Sequence, residues 1–228
     1  MFDRLHKQFP EVIFQNCAGG GGRLDLGILQ GFQDTELSDW MRLPRSVKIV
    51  NGMTWILPPE ILLRTFGTEV GGVTSDADLT TQLRQALVVL PIFRGLSPTL
   101  EEFNPLERNE VRNYVDLYKQ VIRPVMKDCR VYHHTPLTPM MEGSPWMVLE
   151  YATPDARQSL GWIFRTSEQG NSIYRFVPRG LDLSKNYEVT FSNSGQTVEI
   201  PGYRLLQDGI PVRLEGNLTS ELLIFRAK

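Results

Sequence analysis

Cysteine is nearly absent. Among 228 residues only Cys17 and Cys129 occur, far apart and outside any CxxC or Cys/His ligand spacing, which argues against a disulfide framework or a structural zinc site. No apolar run approaches the ~18 to 20 residues of a membrane-crossing helix. Charge of one sign is not in excess either. Lys and Arg number 24 against 26 Asp and Glu, for a net charge of −2, with no basic block; a nucleic-acid footprint would need one. Neither a membrane nor a nucleic acid is therefore expected as a partner. The first residues, Met1 to Phe14, are charged at once and lack the apolar core and cleavage site of a signal peptide. That tilts the expected compartment toward the cytoplasm without fixing it.

What remains is globular in composition, with 41% hydrophobic and 22% charged residues, enough for one large domain or two smaller ones. The texture changes near residue 143. Before it, strands and helices are expected to alternate. Glu11–Asn16, Ser46–Val50 and Ala86–Ile92 are short apolar runs of the kind that form buried parallel strands. Leu79 to Leu90 has an alternative helical start, because Leu79, Leu83, Ala86 and Leu87 recur at helical spacing. The clearest helix spans about Pro105 to Met126, with Val111, Tyr114, Val115, Tyr118, Val121 and Ile122 on one stripe. Pro124 is expected to end or kink it. After Trp146 six short strand-like runs alternate with turn signals, the pattern of an antiparallel β-sandwich. The expected domains are 1–143 and 144–228. The first has too few strands to close a parallel sheet, so the chain reads as cut at its N-terminal side from something larger, with Leu222–Lys228 as a genuine closing strand.

Chemistry concentrates in Cys17-Ala18-Gly19-Gly20-Gly21-Gly22-Arg23-Leu24-Asp25. Four glycines after a strand offer unhindered backbone N–H groups, with Arg23 and Asp25 supplying charge beside them. A solvated flexible loop is the plain alternative. A phosphate loop fits poorly, because no Lys-Ser or Lys-Thr follows the glycines. Cys17, with no partnered His, reads as a small buried hydrophobe rather than a nucleophile. A second cluster, Gln33-Asp34-Thr35-Glu36-Leu37-Ser38-Asp39-Trp40, sets three carboxylates beside an aromatic ring. It offers a general acid next to a sugar-stacking surface, or only caps and a solvated acidic loop. Asp76 and Asp78 read as a cap before the helix near Leu79. His133 and His134 are adjacent, so on a strand they face opposite ways and make a poor metal pair. Trp55 is read as core, with the wall of a ligand subsite as the alternative.

Taken in order, these motifs resemble the C-terminal third of family 36 glycoside hydrolases, the melibiase-type α-galactosidases. Cys17 to Asp25 is similar to the family's Cys-Ser-Gly-Gly-Gly-Arg-Phe-Asp-like segment. Ser38-Asp39 matches the end of its Trp-Thr-Ser-Asp segment, with Trp-Thr lost. Tyr118-Lys119-Gln120-Val121-Ile122-Arg123 resembles its Tyr-Lys-x-x-Arg helix end. Trp146, Tyr151 and Asp155 follow the opening of its β-domain. The resemblance implies the C-terminal portion of a (β/α)8 barrel followed by an antiparallel β-sandwich. It also implies a retaining mechanism with two carboxylates and no cofactor or metal. Asp39 would be the acid/base, with Asp34 in reserve. Cys17, Gly20, Arg23, Asp25 and Trp40 would bind the sugar of α-galactoside oligosaccharides. The family's nucleophile lies in a Lys-Trp-Asp segment, which does not occur in these residues. This chain alone is therefore expected to be inactive, with homo-oligomerisation of the full-length enzyme left open. Rival readings are an α-N-acetylgalactosaminidase, a galactosyl-transferring enzyme, or a non-catalytic carbohydrate-binding or assembly module. Clustered aromatics on the β-sheet surface would mark the last.

Overall fold

The computed structural model describes residues 2–67, 77–138 and 144–228. Asp76 and Gly143, both singled out above, lie outside them. The first part alternates helices and strands: α1 (Phe2–Gln8), β1 (Gln15–Asn16), α2 (Leu26–Leu29), β2 (Asp34–Glu36), α3 (Arg45–Met53), β3 (Leu62–Gly67), α4 (Leu79–Leu87) and β4 (Leu90–Arg94). The four strands pair parallel in sequence order, with Gln15 opposite Asp34, Thr35 opposite Leu62 and Leu63 opposite Leu90. Successive parallel strands joined by helices are the repeat of a βα barrel, here with β1 and β4 as the outer strands among the described residues.

Three expected strands differ from the structure. Ser46–Val50 is the middle of α3, because Val47, Val50, Asn51 and Thr54 bury one helical stripe that a strand would have split between two faces. The first strand is only Gln15–Asn16. It is the sheet's edge, and Val12 and Ile13 before it stay exposed. Val88 and Val89 close α4, capped at its start by Asp78, whose side chain accepts from the Thr81 N–H at 2.6 Å; β4 begins only at Leu90.

The long helix starts as α5 (Pro105–Leu117) on a capping box. Asn104 accepts from the Leu106 and Glu107 N–H groups while Glu107 accepts from the Asn104 N–H. Pro124 neither ends nor breaks it. A π turn over Tyr118–Ile122, in which the Arg123 N–H reaches back to the Tyr118 carbonyl, widens the helix just before α6 (Arg123–Met126). That widening accommodates a ring that an unbroken α-helix would reject.

The remainder is β-rich: β5 (Arg130–His133), β6 (Trp146–Ala152), β7 (Gln158–Arg165), β8 (Ile173–Phe176), β9 (Asn186–Phe191), β10 (Thr197–Pro201), α7 (Gly202–Asp208), β11 (Ile210–Arg213) and β12 (Thr219–Ala227). A six-stranded antiparallel sheet runs β10-β9-β12-β7-β6-β5, and β11 pairs with β8 beside it. Its edge strand, β5, comes from before the change of texture near residue 143. The central strands are buried on both faces. Met147, Leu149, Tyr151, Leu160, Trp162, Phe164, Leu222 and Ile224 pack with α4, α5 and α6. Val148, Ile163, Leu223 and Phe225 turn the other way, onto Phe176, Leu205 and Val212. The period-2 alternation of strand side chains thus divides one apolar run between two cores. Tyr151 ties the halves further, its hydroxyl donating to the Val88 carbonyl at 2.8 Å.

Candidate functional site

The parallel strands deliver two loops to one end of the sheet. At the end of β1, Asn16 donates through Nδ2 to the Arg23 carbonyl at 2.9 Å and to Thr35 Oγ1 at 3.0 Å, closing the base of the glycine loop and pinning it to β2. Inside the loop the Gly22 N–H donates to the Ala18 carbonyl, and Gly19, Gly20 and Gly21 take φ of 58°, 58° and 87°. Glycine is needed at Gly20 and Gly21 for space as well as for dihedral. A Cβ on Gly20 would lie 2.6 Å from Asp39 Oδ2 and closer still to the Asp39 Cγ and backbone nitrogen. One on Gly21 would strike the Glu36 and Leu37 carbonyls. The loop therefore lies flat on the chain leaving β2. It sets its backbone against an exposed carboxylate, Asp39.

Beneath this contact is a buried charged layer. Glu36 is 3% exposed, and burial raises its pKa. Arg64 and Arg94 pull it down, while Asp39 and Asp34 push it up. Arg64, on β3, is fully buried. Desolvation lowers its pKa to about 10, with Glu36 pulling the other way. One guanidinium nitrogen, Nη2, donates to the Trp40 carbonyl at 2.6 Å. Arg64 Nε and Nη1 and Glu36 Oε1 have no hydrogen-bond partner. Sequence reasoning missed Arg64 and Arg94. The available signal was a charge inside the apolar run Leu62-Leu63-Arg64-Thr65-Phe66, which follows a Pro-Pro pair.

The other expected site residues are distributed as follows. Cys17 is exposed where the glycine loop begins, not buried. Arg23 is exposed on the loop's far limb. Asp25 caps α2, its side chain accepting from the Ile28 N–H at 2.9 Å, so it holds the loop's exit. Asp34 begins β2, half-buried, with its pKa raised by desolvation. The acidic cluster is thus a strand and its exit rather than a cap. Trp40 is 46% exposed, with the Arg45 guanidinium 4.6 Å from its ring centroid and its indole N–H on the Arg42 carbonyl. Trp55 is also exposed rather than core, stacked on His133 at 4.1 Å. His133 and His134 do diverge, His133 to Thr54 and His134 to Glu150. Among the described residues no group of three His, Cys, Asp or Glu side chains is placed to hold a metal ion.

Chemically, the arrangement offers one solvent-facing carboxylate against a glycine backbone, beside a partly open aromatic ring. That combination suits proton transfer at a polar, hydroxyl-rich ligand.

Comparison with known proteins identifies the family of this fold. Residues 1–128 match the family model described as Melibiase, and residues 146–225 match that of the glycosyl hydrolase family 36 C-terminal domain. The probable alpha-galactosidase C of Aspergillus terreus is 26% identical over 230 residues, which are 99% of this chain and 29% of that protein. Alpha-galactosidase AgaA of Geobacillus stearothermophilus is 26% identical over 197 residues, 83% of this chain and 25% of that protein. In solved structures the whole chain superposes on 30% of an AgaA variant in complex with raffinose, with a TM-score of 0.81 and 22% identity. It superposes equally on 30% of the Lactobacillus brevis alpha-galactosidase, with a TM-score of 0.83 and 21% identity. The chain thus spans between a quarter and a third of the length of the relatives it matches. Its fold is the corresponding part of theirs, a C-terminal portion of a (β/α)8 barrel followed by a β-domain.

Proposed function

Since the chain belongs to the melibiase family of glycosyl hydrolases, we propose that it is the acid/base-bearing part of a retaining α-galactosidase acting on terminal α-galactosides of oligosaccharides. In this reading residues 1–143 are the last βα units of the catalytic barrel and 144–228 the β-domain, whose sheet borrows β5 as its edge. Asp39 protonates the departing glycosidic oxygen and then, as carboxylate, activates the water that releases the sugar. Cys17, Gly20 and Arg23 meet sugar hydroxyls from the loop, Asp25 keeps that loop in place, and Trp40 offers its open ring face. The nucleophile is supplied from outside these residues. The full-length enzyme takes substrates of the kind represented by raffinose, which an AgaA variant holds.

The observation that carries this reading is the contact of Gly20 with Asp39. A loop built of left-handed glycines has no packing reason to lie against a solvent-facing carboxylate, whereas a sugar bound across the rim that the two form together gives one. Asp39 is favoured over Asp34 because it lies past the end of β2, where a barrel opens to substrate, while Asp34 starts the strand. The binding-module alternative draws no support from the β-domain. Among its described residues the exposed large hydrophobic side chains are Leu183, Val198 and Tyr203, with no cluster of rings.

The test is substitution in the full-length parent. Asp39→Ala is expected to cut turnover of an unactivated galactoside by about 10²-fold or more, and that of an aryl galactoside with a good leaving group much less in its first step. Asp34→Asn is expected to leave this leaving-group dependence unchanged. The reverse outcome would transfer the role to Asp34.

A further inference from the structure

The exit of β2 is held by two consecutive residues of β3, Leu63 and Arg64. On the near side of Asp39, the Leu37 N–H donates to the Leu63 carbonyl at 3.3 Å. On the far side, the Trp40 carbonyl accepts from Arg64 Nη2 at 2.6 Å. Among the described residues the other hydrogen bonds of this segment, from the Trp40 N–H to Ser38 Oγ and from the Trp40 indole to the Arg42 carbonyl, stay within the loop. Arg64 is fully buried and draws on the nearby Glu36 as its counter-charge. A guanidinium so placed is costly, and two of its nitrogens have no partner, so packing alone gives no reason for it. A charge-assisted bond to a loop carbonyl does give one: it is shorter and stronger than a neutral bond and directional.

We propose that Arg64 is a positioning residue for the acid/base step, a latch that holds the segment Ser38–Trp40 so that Asp39 stays against the glycine loop. This rests on the reading of Asp39 above. Arg64 touches neither substrate nor the reacting atoms. Its effect passes through the Trp40 carbonyl, while the nearby Glu36 favours its charged form. A one-ångström drift of Asp39 weakens proton delivery while leaving sugar binding largely intact.

The experiment compares Arg64→Met, Arg64→Lys and the double variant Arg64→Met/Glu36→Leu in the full-length parent, with Asp39→Ala as reference. The double variant removes the buried carboxylate together with its partner, so that folding is not penalised by an orphan charge. Arg64→Met and the double variant are expected to lower kcat on melibiose by about tenfold or more. On 2,4-dinitrophenyl α-galactoside, whose leaving group needs no proton, the expected loss in kcat/KM, which reports the first step alone, is under about threefold. Arg64→Lys is expected to recover part of the loss. In the 228-residue chain, amide exchange in peptides covering residues 38–42 is expected to speed up about tenfold in Arg64→Met, with α4 unchanged. Equal losses on both substrates, no loss, or a double variant that fails to fold would each overturn the latch and make Arg64 a residue of the fold alone. If Asp39→Ala itself leaves turnover on melibiose intact, the acid/base reading has failed first. If Asp39→Ala behaves as expected and the Arg64 variants do not, only the latch is wrong.

Discussion

At the residue scale the account depends on what glycine permits. Gly20 has φ of 58° and no room for a side chain. Alanine there carries a left-handed backbone penalty of about 1 to 2 kcal/mol and drives its methyl into Asp39. Gly20→Ala in the full-length parent is expected to lower kcat/KM at least about tenfold, while Gly19→Ala, whose added methyl meets nothing within 4 Å, is expected to show the backbone penalty without the loss of activity. Steady-state kinetics with parallel thermal unfolding checks both. The glycine loop and Ser38-Asp39 were legible because their residue types are unusual and contiguous. Arg64 was not. Its role arises from a bond between residues 24 apart in sequence, and nothing local marks a buried arginine as bonded to one particular carbonyl. Trp55 failed for a related reason: a large ring reads as core unless its neighbours are known, and here His133 covers one face only.

At the scale of elements, legibility followed burial. The β-rich strands were readable because turn residues punctuate them, although β11 and α7 were missed and β5 was separated from its sheet by residues 134–145. Ser46–Val50 shows the opposite case. Five residues with three apolar side chains satisfy a strand and a helix equally, and only the wider stripe through Asn51 and Thr54 decides for the helix. The helix from Pro105 gives the firmest element-level prediction, because its start rests on a complete capping box. Asn104→Ala removes the acceptor for two N–H groups and is expected to cost about 1 kcal/mol, read as a lower midpoint in urea with an unchanged slope. No shift in midpoint would mean that packing of Val111 and Tyr114 alone holds this end.

At the scale of the whole molecule, β1 and β4 are the outer strands of the four-stranded parallel sheet, unpaired on one side among the described residues, and on the proposed reading the carboxylate pair of a retaining glycosidase is half represented. Both carboxylates must flank the anomeric carbon, about 5 to 5.5 Å apart, for the covalent intermediate to form. The isolated 228-residue chain is therefore expected to hydrolyse aryl α-galactosides no faster than its own Asp39→Ala variant. Open edges also invite pairing with other chains, so association at rising concentration is expected beside that inactivity.

The most direct test of the central claim is the stereochemistry of azide rescue in the Asp39→Ala variant of the full-length parent. An activated aryl galactoside still forms the galactosyl-enzyme there, because its leaving group departs without a proton. Release then stalls for want of a base, and azide, an anion that needs no deprotonation, can take the place of water on the face Asp39 vacated. The account predicts accelerated turnover and α-galactosyl azide as the product, assigned by proton NMR. β-Galactosyl azide would make Asp39 the nucleophile instead, and unimpaired turnover without any azide adduct would remove it from the chemistry altogether.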